Sequence, residues 1–425
     1  MRESFDIKKL EMPQVFFINR FFHPDHSATS QILTDLAVHL AKTGSSVHVI
    51  TSRQLYDDPN AALPGSDNLC SVRVTRVWAS RFGRQNLPGR TLDYLTFYFS
   101  AAWSLFVLLK PGDIVVAKTD PPLISVVAAI AANSRGVKLI NWIQDLFPEV
   151  AEALGVGRMG WLKGPLRLIR NWSLRAAYMN VVIGEGMAAK LSREGVQFSA
   201  IEVIHNWADG QNIHAVAREN NQLRQEWNLP DKFVVGYSGN LGRAHEFDTI
   251  LDAAEKLKNV AKIVFLFIGG GAQRDWIEEE VRRRGLKNIM FKPYQPREQL
   301  TLSLSVPDLH LISLHPSLEG LIVPSKFYGV AAAGRPTLFI GSKKGEIPHI
   351  LRTAECGFSI EIGQAEEASR IILELADHQE TCLRLGMRAR ALFDQRFDMR
   401  HAMQAWETVI AGPKSSTASV YEEAA

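Results

Sequence analysis

What most limits the fold of this chain is an alternation of short apolar runs with longer helix-patterned segments, which fills the first half and then begins again in the second. In the first half the runs are residues 15–19, 47–51, 72–78, 114–117, 138–142, 180–183 and 201–204, with a helical pattern over 27–42 between the first two. In the second half they are 233–238, 263–268, 289–291, 309–314, 337–340 and 357–360. Such alternation predicts βαβ units, in which a parallel sheet is covered by helices on both faces. A chain of 425 residues is too long for one ordinary core. It therefore reads as α/β with two doubly wound, Rossmann-like domains in tandem, over 1–208 and 209–395. A helix over 396–411 is expected to return to the first domain, followed by a disordered tail over 412–425. The polar stretch 209–228 is read as the linker. Ligands of such sheets lie at the carboxyl ends of the strands, which places a shared ligand in the cleft between domains.

Composition removes several classes of function. Hydrophobic residues make up 46% and charged ones 22%, the balance of a folded, soluble protein. A net charge of +3 is too small to argue for nucleic-acid binding. Cys70, Cys356 and Cys382 are far apart, which gives neither a disulfide framework nor a zinc site and fits a cytoplasmic protein. Residues 1–10 lack the apolar core of a signal peptide. The apolar segment 94–109 falls short of the ~20 residues that cross a bilayer and is expected to be a buried helix, with partial membrane contact as the alternative. Arg73, Arg76, Arg81, Arg84 and Arg90 cluster beside it. Residues 161–175 wind as an amphipathic helix, with Lys163, Arg167 and Arg170 on one face and Leu162, Leu166, Ile169 and Trp172 on the other. Peripheral contact with an anionic inner membrane and packing on the helix's own domain are both open at this point.

The stretch 319–336, EGLIVPSKFYGVAAAGRP, follows an apolar run and opens a small-residue helix. Unpaired N–H groups at such a start favour an anion, and Lys326 beside Ser325 adds a full charge. Two more loops follow strands of the same half: 237–245, with Gly239, Asn240 and Arg243, and the triple glycine 269–271 around Gly270. Tyr294, after the run 289–291, belongs to the same set of candidates. Strand ends of one parallel sheet converge, so these loops point to one phosphate site. In the first half, His23, Asp25 and His26 lie in the loop after the first run, and Asp25 and His26 are candidates to orient an acceptor hydroxyl. Asp145, after the run 138–142, is a third acidic or basic candidate facing the cleft, with Glu149 as its understudy. The turn at Asp120, before two prolines, is read as structural.

These blocks resemble glycosyltransferase family 4, enzymes of the GT-B fold. The matching stretches are YSGNLGRAHE (237–246), FIGGG (267–271), PSK with AAGRP (324–336), NRFFHPDHSATSQ (19–31), DPP (120–122), WIQDLFPE (142–149) and HNWAD (205–209). The branch resembled builds bacterial surface polysaccharides, including lipopolysaccharide and capsule, and contains N-acetylfucosamine transferases. The resemblance implies two domains facing a central cleft, acceptor-side first and nucleotide-sugar-binding second. It implies transfer, with retention at the anomeric carbon, from a nucleoside diphosphate sugar to a saccharide acceptor carried on a lipid. No metal or other cofactor is required by this reading. Asp145, Glu319, His26 and Asp25 are the catalytic candidates; Gly239, Asn240, Arg243, Gly270, Tyr294, Glu319, Pro324, Ser325 and Lys326 are the nucleotide-sugar candidates. The chain departs from the family pattern in three places. The second glutamate usual after Glu319 is absent, with Phe327 or Gly329 in its place; Asn240 and His245 stand where Arg and Lys are common; and Gln144 stands where many relatives have His. A nucleotide-sugar epimerase of the same fold and a non-catalytic nucleotide-sugar-binding protein are the rival readings.

Overall fold

The computed structural model describes residues 13–83, 87–155 and 160–412. The expected tail beyond 412, and Arg84 of the arginine cluster, lie outside the described residues. The first sheet has the order β3-β4-β2-β1-β5-β6-β7-β8. Its strands are β1 (Gln14–Ile18), β2 (Ser46–Ser52), β3 (Ser66–Leu69), β4 (Val72–Val77), β5 (Ile114–Lys118), β6 (Lys138–Ile143), β7 (Met179–Val182) and β8 (Ile201–Val203). The second has the order β11-β10-β9-β12-β13-β14, made of β9 (Phe233–Ser238), β10 (Ile263–Ile268), β11 (Ile289–Lys292), β12 (Leu309–Ser313), β13 (Thr337–Ile340) and β14 (Gly357–Ile360). All neighbours pair in parallel except β3 with β4. β3 escapes sequence reading because its residues, Ser-Asp-Asn-Leu, have no apolar alternation; it is an exposed edge strand.

Six helices of the first domain matter below: α1 (Ala28–Lys42), α2 (Leu87–Leu108), α3 (Ile124–Arg135), α4 (Glu149–Ala153), α5 (Lys163–Ala176) and α6 (Glu185–Arg193). Strand residues bury on both faces, as a sheet covered twice requires. On one face Val15, Phe17, Val116, Ile140 and Trp142 pack under α1; on the other Phe16, Ile18, Val115 and Leu139 pack under α2 and α3. The helix Met399–Ala411 adds Ala402, Met403, Trp406 and Val409 to the α1 side, and its Glu407 meets His39 of α1 at 2.8 Å.

Two expectations need revision. The stretch read as a linker is folded into the second domain over its latter half. There Arg224, fully buried, donates to Asp308 and to the Val306 carbonyl, while Leu223 and Trp227 join an apolar cluster with Val234 and Leu266. The segment 94–109 is not a buried helix. As part of α2 it buries the single stripe Phe97, Ala101 and Leu105 and leaves Phe99 and Trp103 more than 70% exposed.

The domains meet in a continuous seam. Ile143, Leu146 and Leu174 of the first share a core with Leu318, Leu321, Val323 and Phe327 of the second, and Leu146 N donates to the Leu321 carbonyl at 3.1 Å. Away from that seam, Arg297 reaches Asp35 of α1 at 3.0 Å.

Candidate active site

In the second domain the loops after β9, β10 and β12 lock together. Leu241 N donates to the Gly270 carbonyl (2.7 Å) and Gly239 N to the Ile268 carbonyl (2.8 Å). Gly269 has φ +131°, and a Cβ there would stand 2.3 Å from the Gly239 carbonyl oxygen, so only glycine permits this approach. Tyr294, over half exposed, closes the group by donating its hydroxyl to the Gly270 carbonyl at 3.0 Å.

Lys326 fastens the third loop to the first. It opens the short helix Lys326–Ala332, and its Nζ reaches the Tyr237 hydroxyl (2.7 Å), the Asn240 carbonyl (3.0 Å) and His245 Nε2 (2.8 Å). The ammonium also lies 4.6 Å from the centre of the Tyr237 ring. His245 Nδ1 sits 2.5 Å from the Ser313 carbonyl, an acceptor, so that nitrogen carries the proton and Nε2 offers its lone pair to Lys326. Burial and then the Lys326 charge hold the His245 imidazole down to about 3, and burial lowers Lys326 to about 7. His245 is thus a neutral acceptor for the Lys326 ammonium. Arg243 is exposed in the same loop, Ser325 is half-buried before the helix, and Pro324 is buried.

Glu319 lies on the seam. Its carboxylate accepts the Glu346 N–H; burial and, against that bond, the Glu346 charge raise it to about 7. Its Oε1 is buried with no partner among the described residues. Gly345 stands so close that a Cβ would fall 2.2 Å from Oε1. Glu346 itself accepts Gly186 N at the start of α6 (3.2 Å), tying the domains together. Phe327 is 1% exposed against Tyr328 and Phe397, a packing position no carboxylate could share.

In the first domain Asp145 follows β6 one residue before the Leu146 bond to the second domain. Its side chain opens to solvent inside the cleft, yet protein surrounds it closely enough to raise it to about 6, with Asp120 adding to the rise and Lys118 opposing it. Gln144, beside it, is locked in a reciprocal amide pair with Asn206 (3.1 and 3.0 Å) and is buried. Asp25 has another duty. One oxygen takes the Ser27 N–H (2.9 Å) and hydroxyl, and the other takes Tyr56 N (2.5 Å), so the carboxylate shapes the loop entering α1. His26, its neighbour, stays exposed.

Sequence reasoning missed Lys118. It ends β5, in register with Trp142, and is 1% exposed. Its Nζ lies 3.5 Å from the Trp142 ring centre and has no hydrogen-bond partner among the described residues. Burial depresses it strongly, against the pull of Asp145 and Asp35. The available signal was a lone cation closing the run Ile-Val-Val-Ala at the cleft end of a central strand. Glu346, the other omission, carries no local pattern at all. Among the described residues no group of three His, Cys, Asp or Glu side chains could hold a metal ion.

Comparison with known proteins agrees with this architecture. The family described as "Glycosyl transferase 4-like domain" matches residues 28–207, and "Glycosyl transferases group 1" matches 219–392. The Pseudomonas aeruginosa protein named as glycosyltransferase WbjE is 25% identical over 370 residues, covering 86% of this chain and 90% of its own. WcaI of Escherichia coli (strain K12), named as a colanic acid biosynthesis glycosyl transferase, is 25% identical over 357 residues, 80% of this chain and 85% of its own. Among solved structures, HepE of Anabaena in complex with UDP and glucose superposes with a TM-score of 0.71 at 16% identity, covering 94% of this chain and 99% of its own. Two facing, largely parallel sheets, a lysine tying glycine-rich loops together and matches that take in most of the chain lead to one conclusion: this protein is an enzyme of glycosyltransferase family 4, with the GT-B fold.

Proposed function

We propose that the enzyme moves one sugar from a nucleoside diphosphate sugar, held by the second domain, to a lipid-linked saccharide acceptor entering against the first, in the making of a bacterial surface polysaccharide. Lys326 carries this reading: one cation joins the loops after β9 and β12 beside the glycine loop after β10. The relative named for colanic acid biosynthesis and the neighbour holding UDP and glucose support the class of product and donor.

Chemically, the bond from the anomeric carbon to the diphosphate oxygen breaks and its electron pair leaves with the phosphate. The acceptor oxygen bonds to the same face, with retention, and its proton passes to the departing phosphate oxygen. Lys326, with Arg243 nearby, balances the charge that develops there. Backbone groups around Gly239, Asn240, Gly270 and Ser325 hold the diphosphate, Tyr294 borders the base, and Pro324 shapes the turn. Glu319, on the seam, faces the donor sugar, and Asp145 with His26 orients the acceptor hydroxyl; Asp25 acts by positioning His26. No step requires a metal or other cofactor. A lipid-linked acceptor brings the enzyme to the anionic cytoplasmic face of the membrane as a peripheral protein. Among the described residues no helix is long and apolar enough to cross it.

Calorimetric titration tests the donor site. Nucleoside diphosphates should bind, and Lys326→Ala should weaken them about tenfold more than the corresponding nucleosides. Equal losses would remove Lys326 from the diphosphate. Failure of every nucleoside diphosphate to bind would overturn the reading.

A further inference from the structure

α5 is seated on its domain the wrong way out for a soluble surface helix. Its polar side faces the protein: Arg170 and Arg167 bind Glu149 at 2.8 and 2.9 Å, Lys163 pairs with Glu152, Asn171 donates to Glu194 at 2.7 Å, and Ser173 meets Ser125 of α3 at 2.9 Å. Arg170, Asn171 and Ser173 are buried, while Leu168, Ile169 and Trp172 are 67, 46 and 40% exposed, and Trp161 just before the helix is 84% exposed. The sequence pattern alone leaves open which of the two faces the domain keeps.

α2 repeats the arrangement on the far side of α3, which packs between the two. Its outer stripe is Leu95, Phe99, Trp103 and Val107, at 45, 77, 73 and 62% exposure, and Ile130 of α3 lies out at 51%. Trp78 forms a shallow groove with Phe99 and Trp103. Three neighbouring helices thus turn large apolar side chains to solvent, an expanse that soluble monomers rarely leave uncovered.

We infer that this three-helix face inserts into the interfacial zone of an anionic lipid bilayer, with its tryptophans and Phe99 among the acyl chains. Charge selects the bilayer over a second copy of the chain. Across α2, α3 and residues 160–176 the only acid is Asp93, which is buried, and although Lys163, Arg167 and Arg170 are matched by Glu149 and Glu152 of α4, Arg90, Arg135 and Arg175 remain as cations. Arg135 and Arg175 donate to the Phe106 and Glu194 carbonyls rather than to carboxylates. A second copy would bring like charge to this face; anionic headgroups bring the opposite. α2 and α3 follow β4 and β5, so both begin at the cleft end of the sheet, where Arg20 meets Asp93 at 3.4 Å. Insertion holds the cleft mouth at the bilayer surface, where a lipid-linked acceptor ends. The inference deepens the membrane reading above and rests on it only for the acceptor's lipid.

Flotation of the full chain with vesicles that are about one third phosphatidylglycerol, the rest phosphatidylethanolamine, tests it. Vesicles should carry the protein, brominated acyl chains should quench its tryptophan emission, and a good part of the binding should survive ~0.5 M salt. The pairs Phe99→Ser/Trp103→Ser and Leu168→Ser/Trp172→Ser should each lower vesicle affinity about tenfold or more while retaining nucleoside diphosphate binding. Absence of flotation, binding lost wholly in salt without quenching, or a concentration-dependent dimer broken by the same pairs would each overturn the insertion. If vesicles bind but nucleoside diphosphates do not, the proposed reaction falls and the surface stands.

Discussion

Each domain takes a lysine out of bulk water at the cleft, and the two are treated in opposite ways. Lys326 of the second domain spends its ammonium on three acceptors from another loop. Lys118 of the first has an aromatic face and no acceptor among the described residues. A satisfied cation rigidifies the loops it joins, whereas an unsatisfied one is a strained reserve that a ligand could engage. The loops of the second domain are therefore tied to one another through Lys326, while Lys118 in the first keeps its donors unused among the described residues.

The largest effect should come from Lys326→Met, which strips three partners of a shared donor. Urea unfolding should show a loss of about 2–3 kcal/mol, and an unchanged midpoint would break the contrast. pH adds a second handle. Folded Lys326 titrates at about 7, below its usual 10.5, so between those values the unfolded chain holds more protons and stability rises with pH. The methionine variant should lose that alkaline rise.

Glu319 makes the opposite prediction at a smaller scale. Its folded value of about 7 lies above the usual 4.5, so the folded chain holds more protons between them and stability falls as pH rises through that window. Glu319→Gln should flatten this decline, by on the order of 1–2 kcal/mol at pH 7 and above relative to pH 4.5. A decline that persists unaltered would place the titrating carboxylate elsewhere.

The smallest effect belongs to Lys118→Met. With no hydrogen bond to lose and a desolvated amine removed, it should be neutral or stabilising by about 1 kcal/mol in the same urea experiment. A clear destabilisation would mean that Lys118 is bonded as firmly as Lys326, and the two domains would no longer differ.

The architecture was largely legible because parallel strands covered on both faces must be short, apolar and bounded by turn residues. The runs at 233–238 and 263–268 reappear residue for residue in β9 and β10. What escaped lacked that signal. β3 is polar and exposed, and the stretch before β9 buries Arg224 by satisfying it with Asp308, which composition reads as a linker. The orientation of α5 was invisible for a related reason: amphipathicity says that two faces differ, not which one the protein keeps. Glycine loops and Lys326 could be gathered from the sequence because each follows a strand. Their mutual bonds could not, since Asn240, His245 and Lys326 meet only in three dimensions. Asp25 shows the same limit, a loop carboxylate whose partner Tyr56 lies far along the chain.

The proposed reaction transfers a sugar from a donor on the second domain to an acceptor at the first. Mixing the enzyme with a nucleoside diphosphate sugar and a lipid-linked saccharide, and following both by mass spectrometry and NMR, tests it most directly. The acceptor should gain one sugar, in the anomeric configuration it had in the donor, only when both substrates are present. A donor converted to another sugar without acceptor, or donor bound and never consumed with any acceptor supplied, would contradict it.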